Sequence, residues 1–284
     1  MTLGEIYRQG KGVLSGAGNE APSFDADCLF QKAFGLDRQG RVLHSGEPAG
    51  DTSAREYMRY IEERASGRPL QYILGIWPFL GLNLRVGEGV LIPREETELL
   101  VHTAVQMLQD TPKPEVLDLC AGTGAVSFGL ASLVRSARIT AAELYDEAFG
   151  YLTLNKKETG FENVAPMRLD VLDAQSAELF SDLDCIVSNP PYIERDDLPV
   201  LQQEVQREPR TALDGGADGL VFYRAIAALW LPRLKPGGTA AVEVGENQAR
   251  TVAELFQNAG LSRLQIYRDF NGIERVVAGI WKRW

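Results

Sequence analysis

Val116-Leu117-Asp118-Leu119-Cys120-Ala121-Gly122-Thr123-Gly124 is an apolar strand pattern that runs through a glycine turn into a helical pattern at Ala125–Val134. Working outward, strand patterns recur at Arg138–Glu143, Ala165–Leu169, Cys185–Ser188 and Thr239–Val244. Helical patterns fall between or after them at Glu147–Thr159, Phe222–Leu234 and Gln248–Ala259. Alternation of this kind predicts a parallel sheet covered by helices on both faces. The ending breaks the rule. Leu264–Asp269 and Arg275–Trp281 flank Asn271-Gly272, a strong hairpin signal, so an antiparallel last strand is expected.

Upstream, the chain changes character twice. Thr2 with Glu5, and Ser53 with Glu56, fit capping boxes, and Phe24–Phe34 reads as a further helix, with a loop at Gly46–Gly50. Residues 1–68 are therefore expected to form a small helical domain. In residues 69–92, apolar positions are interleaved with Gly75, Gly81, Gly87 and Gly89, which suggests a β-hairpin linker. Glu95–Gln109 returns to helix and opens a domain spanning 93–284.

Composition sets outer bounds. At 45% hydrophobic and 24% charged over 284 residues, the chain has the balance of a globular protein with a substantial core. No apolar run approaches the roughly 18 residues of a membrane span, and the N-terminus lacks a secretory pattern, so a cytoplasmic location is the default expectation. Cys28, Cys120 and Cys185 are far apart and without CxxC spacing, which argues against disulfides and zinc. A net charge of −10 does not favour a surface that grips many phosphates; it favours a protein or small-molecule substrate.

Gly122 and Gly124 allow a tight turn and close backbone approach to a ligand. Glu143, 19 residues after Gly124, ends the second strand, where a carboxylate can accept both hydroxyls of a ribose. Asp170 ends the third strand, placed to accept from an adenine amino group, with Val171 against the ring. The spacing D-x-x-x-G-x-G resembles the first motif of class I methyltransferases, which carry a further glycine where this chain has Cys120. The candidate cofactor-binding residues are Asp118, Cys120, Ala121, Gly122, Thr123, Gly124, Glu143, Asp170, Val171 and Asn189, and the implied cofactor is S-adenosylmethionine, with no metal.

After the fourth strand comes Asn189-Pro190-Pro191-Tyr192, the candidate catalytic loop. The prolines restrict the backbone, the Asn189 oxygen and the Pro190 carbonyl are acceptors, and Tyr192 offers a flat face for stacking. An amide or aromatic amine nitrogen is a poor nucleophile because its lone pair is delocalised. Two convergent acceptors can hold its N–H groups and strengthen as positive charge develops on nitrogen. That is the chemistry of direct nitrogen methylation.

Further segments resemble one family over nearly the whole chain, the release-factor glutamine N5-methyltransferases. They are Arg68-Pro69-Leu70-Gln71-Tyr72-Ile73-Leu74-Gly75; Leu91-Ile92-Pro93-Arg94-Glu95-Glu96-Thr97-Glu98, with Glu95 where the family has proline; Glu208-Pro209, Ala212-Leu213, Gly215-Gly216 and Asp218-Gly219-Leu220; and Glu243-Val244-Gly245 with Gln248. The resemblance implies a class I Rossmann-like α/β catalytic domain and a peptide chain release factor as substrate, methylated on the glutamine of its Gly-Gly-Gln loop. It also implies an N-terminal module that helps dock that partner, with no direct nucleic-acid or membrane partner. Two other readings compete. Asn-Pro-Pro-Tyr also occurs in enzymes that methylate exocyclic amines of RNA or DNA, and a fold of this kind can persist as a non-catalytic binding module. The intact Asn189 and Tyr192 argue against the latter.

Overall fold

The computed structural model describes residues 1–282 and divides into two compact units. Trp284, expected to pack the terminal strand or lie at the surface, falls outside the described residues. The first unit comprises Met1–Ile76 with Gln202–Arg207. Its helices are α1 (Leu3–Gly16), α2 (Pro22–Phe34), α3 (Arg38–Leu43), α4 (Asp51–Ala65) and α5 (Leu70–Leu74). Thr2 and Glu5 form the expected reciprocal capping box on α1. Ser53 and Glu56 do not form the second box. Helix α4 starts three residues earlier, with Gly50 as its N-cap, and Asp51 supplies the negative charge that a helix N-terminus favours. The core joins Leu14, Leu29, Phe30, Tyr57 and Ile61, all fully buried, and Phe30 meets Tyr7 and Tyr57 edge-on. Buried Arg64 donates to Asp25 Oδ2 at 2.6 Å, to the Arg68 carbonyl at 3.2 Å, and to Glu204 of the returning segment.

Leu70–Leu74 is helical rather than part of a hairpin. Leu70 and Ile73 are buried at helical spacing, and Gly75 at φ +76° ends the turn in the left-handed conformation. The hairpin itself is short: β1 (Ile76–Phe79) and β2 (Leu82–Arg85).

The second unit holds the sheet. Its further elements in chain order are α6 (Thr97–Leu108), β3 (Glu115–Leu119), α7 (Ala125–Leu133), β4 (Arg138–Glu143), α8 (Asp146–Thr159), β5 (Val164–Arg168), α9 (Ala174–Glu178), β6 (Leu183–Ser188), α10 (Val221–Ala225), β7 (Leu234–Glu243), α11 (Ala249–Ala259), β8 (Leu261–Arg268) and β9 (Glu274–Trp281). The strand order is β5-β4-β3-β6-β7-β9-β8. Neighbours from β5 to β7 run parallel, and β9 is antiparallel to both β7 and β8, as the Asn271-Gly272 signal predicted. One apolar cluster lies around Phe128, Leu130 and Val187, and another around Leu117, Ile186 and Trp230. Alternate residues of β3 and β6 thus serve opposite faces, as a doubly covered sheet requires.

The expected helix at Phe222–Leu234 is broken into an α turn, a π turn at Ile226–Trp230 and a 3₁₀ turn at Leu231–Arg233. Pro232 removes a helical N–H there, and the buried Trp230 indole donates to the Val171 carbonyl at 2.8 Å.

Asn155 was not singled out by the sequence reading. Fully buried on α8, it accepts from Arg85 N at 2.6 Å and donates to the carbonyls of Arg85 and Thr123 at 3.1 and 3.0 Å. It therefore ties β2 to the glycine turn after β3. Asn155→Ala leaves three backbone groups without that partner and is expected to lower stability by about 3 kcal/mol, measured by denaturant unfolding.

Candidate active site

The strand order reverses between β3 and β6: the chain moves outward through β4 and β5, then returns to the other side of β3. Loops leaving the carboxyl ends of two such strands diverge and open a crevice. Leu119 and Ser188 are paired in register, and the buried Ser188 hydroxyl donates to the Leu119 carbonyl at 2.7 Å. The Cys120–Gly124 turn and the Asn189–Tyr192 loop therefore start side by side. An open-mouthed cavity lies here, within the second unit.

Of the sequence-predicted residues, Cys120, Ala121, Gly122, Thr123, Glu143, Asp170, Val171, Asn189 and Pro191 line this cavity. Asp118, Gly124, Pro190 and Tyr192 do not. Gly122 has φ +56°, and a Cβ there would meet only Val90 at 3.9 Å, so its backbone faces open space. Its N–H donates to Glu143 Oε2 at 2.9 Å, while Leu144 N and Tyr145 N donate to Oε1 at 2.8 and 2.9 Å. Three backbone donors thus orient the Glu143 carboxylate, two on Oε1 and one on Oε2, and leave one lone pair on Oε2 for a ribose hydroxyl. Asp170 accepts from Leu172 N through Oδ1 at 2.8 Å, beside buried Val171. These groups fit a nucleoside: a glycine cradle, a carboxylate at the second strand end, and an acceptor next to an apolar contact at the third.

The residues behind the cavity have structural work. Asp118 is buried and accepts from Ser127 at 2.6 Å, tying β3 to α7; burial pushes its carboxyl up to about 7. Gly124 has φ +84°, and a Cβ there would run into Phe128 and Leu152. Cys120 adopts φ +61°, a conformation that favours glycine. It packs against the apolar cluster around Leu117 and Ile186, and burial raises its thiol pKa well above the ordinary range.

The Asn189–Tyr192 loop is clamped by segments that carried the family resemblance. Gln248 donates to the Tyr192 carbonyl at 2.9 Å and accepts from Gly245 N at 3.0 Å. Ile193 N donates to the Leu213 carbonyl at 2.9 Å, and Gly215 N to the Ile193 carbonyl at 2.8 Å. The backbones approach so closely that a Cβ on Gly215 would stand 2.8 Å from Tyr192 Cα.

Sequence reasoning left two groups without roles. Buried Glu208 accepts from Ile92 N at 2.9 Å and from Arg94, which lines the cavity. Thr97 donates to Glu243 Oε2 at 2.6 Å and accepts from Asn189 Nδ2 at 3.2 Å. Both lie in quoted motif segments, but a motif does not say which side chains meet. Among the described residues, no group of His, Cys, Asp and Glu could hold a metal ion, and no helix is long and apolar enough to cross a membrane.

Fold and site together define a class I methyltransferase. Residues 5–75 match the PrmC N-terminal domain, and residues 96–227 match the methyltransferase small domain. The chain is 36% identical to the release factor glutamine methyltransferase of Geobacter sulfurreducens, covering 98% of this chain and 96% of that one. It is 35% identical to the protein of the same name from Deinococcus radiodurans, covering 98% of each. The T. thermophilus 16S rRNA N2 G1207 methyltransferase, solved with AdoMet and guanosine, shares the fold at 19% identity and a TM-score of 0.52, over 73% of this chain and 50% of that one. The chain belongs to the release factor glutamine methyltransferase family.

Gly219 tests the clamp. It has φ +68°, and a Cβ there would stand 2.4 Å from the Tyr192 carbonyl oxygen. Gly219→Ala is expected to cost about 2 kcal/mol, read by thermal unfolding, and to depress methyl transfer by displacing the loop.

Proposed function

We propose that this protein transfers a methyl group from S-adenosylmethionine to the side-chain amide nitrogen of the glutamine in the Gly-Gly-Gln loop of a peptide chain release factor. The observation that carries this reading is the meeting of two loops. Asn189, of the Asn189-Pro190-Pro191-Tyr192 loop, lines the same cavity as Gly122, Glu143 and Asp170. Family membership supports the choice of protein substrate, since the relatives are named release factor glutamine methyltransferases.

In this reading Gly122 and its neighbours cradle the cofactor, Glu143 takes the ribose hydroxyls, Asp170 accepts from the adenine amino group and Val171 packs on the ring. When bound there, S-adenosylmethionine would supply an electrophilic methyl on a positively charged sulfur that can keep the S–C electron pair, and the glutamine amide nitrogen would be the nucleophile. Asn189 Oδ1 and the Pro190 carbonyl accept the two N–H groups of the glutamine amide and aim its nitrogen. Both hydrogen bonds strengthen as the nitrogen becomes positive, so they stabilise the transition state more than the bound substrate. The nitrogen then sheds one proton to water. Tyr192 holds the plane of the loop through its ring. The helical domain, read from the sequence as residues 1–68, with 69–92 as linker and 93–284 as catalytic domain, contributes to docking the release factor.

The test is methyl transfer from labelled S-adenosylmethionine to a purified release factor, with the modified peptide located by mass spectrometry. Label is expected on the Gly-Gly-Gln glutamine. Asn189→Ala is expected to lower turnover by about a hundredfold or more, with a far smaller loss of cofactor affinity. Label on RNA or DNA controls instead of the release factor would transfer the same nitrogen chemistry to an exocyclic amine.

A further inference from the structure

An asparagine amide presents an oxygen on one side and an NH₂ on the other, and the two ends are almost identical in shape. Only the oxygen end can accept a hydrogen bond from a substrate amide. Packing alone cannot choose between them; a hydrogen-bond partner of fixed polarity can. The structure places such a partner beside Asn189. Thr97, buried at the first turn of α6, lies 3.2 Å from Asn189 Nδ2. Behind it, 2.6 Å from the Thr97 hydroxyl, is Oε2 of Glu243, which is 1% exposed at the end of β7. Sheet register brings the pair together. Ser188 of β6 is paired with Val242 of β7; Asn189 follows at once after β6 ends, and Glu243 is the next and last residue of β7.

We infer that Thr97 and Glu243 are positioning residues that fix which end of the Asn189 amide faces the substrate. The inference rests on the proposed role of Asn189 as an acceptor. Proton count sets the direction. A threonine hydroxyl has one proton, and an ionised carboxylate only accepts. At 2.6 Å the Thr97 proton is committed to Glu243, a short charge-assisted bond. The Thr97 oxygen can then only accept from Asn189, so Asn189 must turn Nδ2 toward it. That leaves Oδ1 for the glutamine amide. The other Glu243 oxygen receives the Tyr192 hydroxyl at 3.4 Å, which couples the stacking ring to the same carboxylate.

The relay has direction only while Glu243 is ionised. A protonated Glu243 can donate to Thr97, and the Thr97 proton is then released toward Asn189, where it favours the reversed amide. Burial pushes the Glu243 carboxyl up to about 7, and the charge of Glu96 adds to the rise. Thr97, Arg275 from β9 and Tyr192 from the catalytic loop pull the other way. The active, ionised form therefore gains population as pH rises through about 7. Glutamine amides do not titrate in this range.

The experiment measures turnover of a purified release factor by full-length wild type, Thr97→Val, Thr97→Ser, Glu243→Gln and Asn189→Ala, with labelled S-adenosylmethionine, from pH 5.5 to 8.5. Calorimetry gives the cofactor affinity of each. Thr97→Val keeps shape and loses the hydroxyl. It is expected to lower kcat about tenfold or more with cofactor Kd little changed, and Thr97→Ser is expected to recover most of that loss. In wild type, kcat rises with pH through an acid limb; in Glu243→Gln the limb is absent and the rate is low throughout. Asp118 is also pushed up to about 7 but does not touch the relay, so loss of the limb in Glu243→Gln assigns it to Glu243. A full rate for Thr97→Val, or an unchanged acid limb in Glu243→Gln, with Asn189→Ala inactive, overturns the relay and leaves the proposed reaction standing. A full rate for Asn189→Ala removes the reading on which the relay rests.

Discussion

The hydrogen bond from the Ser188 hydroxyl to the Leu119 carbonyl joins the two strands whose separation creates the site. Every functional loop is placed relative to that pair. β3 ends at Leu119 and releases the glycine turn; β6 ends at Ser188 and releases the Asn-Pro-Pro-Tyr loop. Because the strand order reverses there, the helices that follow β3 and β6 cover opposite faces of the sheet, and the loops part above the strand ends. A slip of one residue between β3 and β6 would turn every side chain of one strand to the wrong apolar cluster, so the core itself enforces the register. The geometry of the cavity rim is in this sense inherited from packing of Leu117, Ile186 and Val187, none of which lines the cavity.

Buried carboxylates are the unusual expense of this design. Asp118, Glu143, Glu208 and Glu243 are all less than a tenth exposed. Each compensates desolvation by a different route. Glu143 takes three backbone donors, and Glu208 takes one backbone donor and Arg94. Asp118 accepts from Ser127 and Glu243 from Thr97 and Tyr192, but burial outweighs these donors and pushes both carboxyls up to about 7.

Much of this was legible in the sequence. The strand–turn–helix at Val116–Gly124, the acidic end of the second strand at Glu143, the Asn189–Tyr192 loop and the terminal antiparallel hairpin all follow from short-range patterns, whereas Asp170, expected to end the third strand, lies two residues beyond β5. What was not legible is contact between distant segments. Thr97 and Glu243 lie 146 positions apart, and Ile92 and Glu208 lie 116 apart. Nothing in one sequence distinguishes a buried glutamate with a partner from a solvated strand end. Nor does local pattern reveal that Gln202–Arg207 belongs with the first unit, since its attachment depends on Arg64 and Ser66 far upstream. The misread Ser53–Glu56 box and the helix at Leu70–Leu74 are boundary errors of a different kind: α4 starts three residues before the expected cap, and the segment before Gly75 is a short helix instead of a strand.

The same contrast explains why the glycines after the catalytic loop carry so little local meaning and so much structural meaning. Gly215 and Gly219 follow Tyr192 by more than twenty residues, yet both lie against its backbone, where a methyl group would overlap it. Their absence of side chains is a condition imposed by another part of the chain. A loop with two prolines is stiff within itself, but stiffness does not determine where it points. Gln248, Gly215 and Gly219 determine that by gripping the Tyr192 and Ile193 backbone from the far side. Asn189 is thus held at one end by the strand register and at the other by this clamp, and only rotation of its own side chain is left free. Thr97 acts on that remaining freedom, which is why a single hydroxyl can matter in a site whose backbone is already fixed.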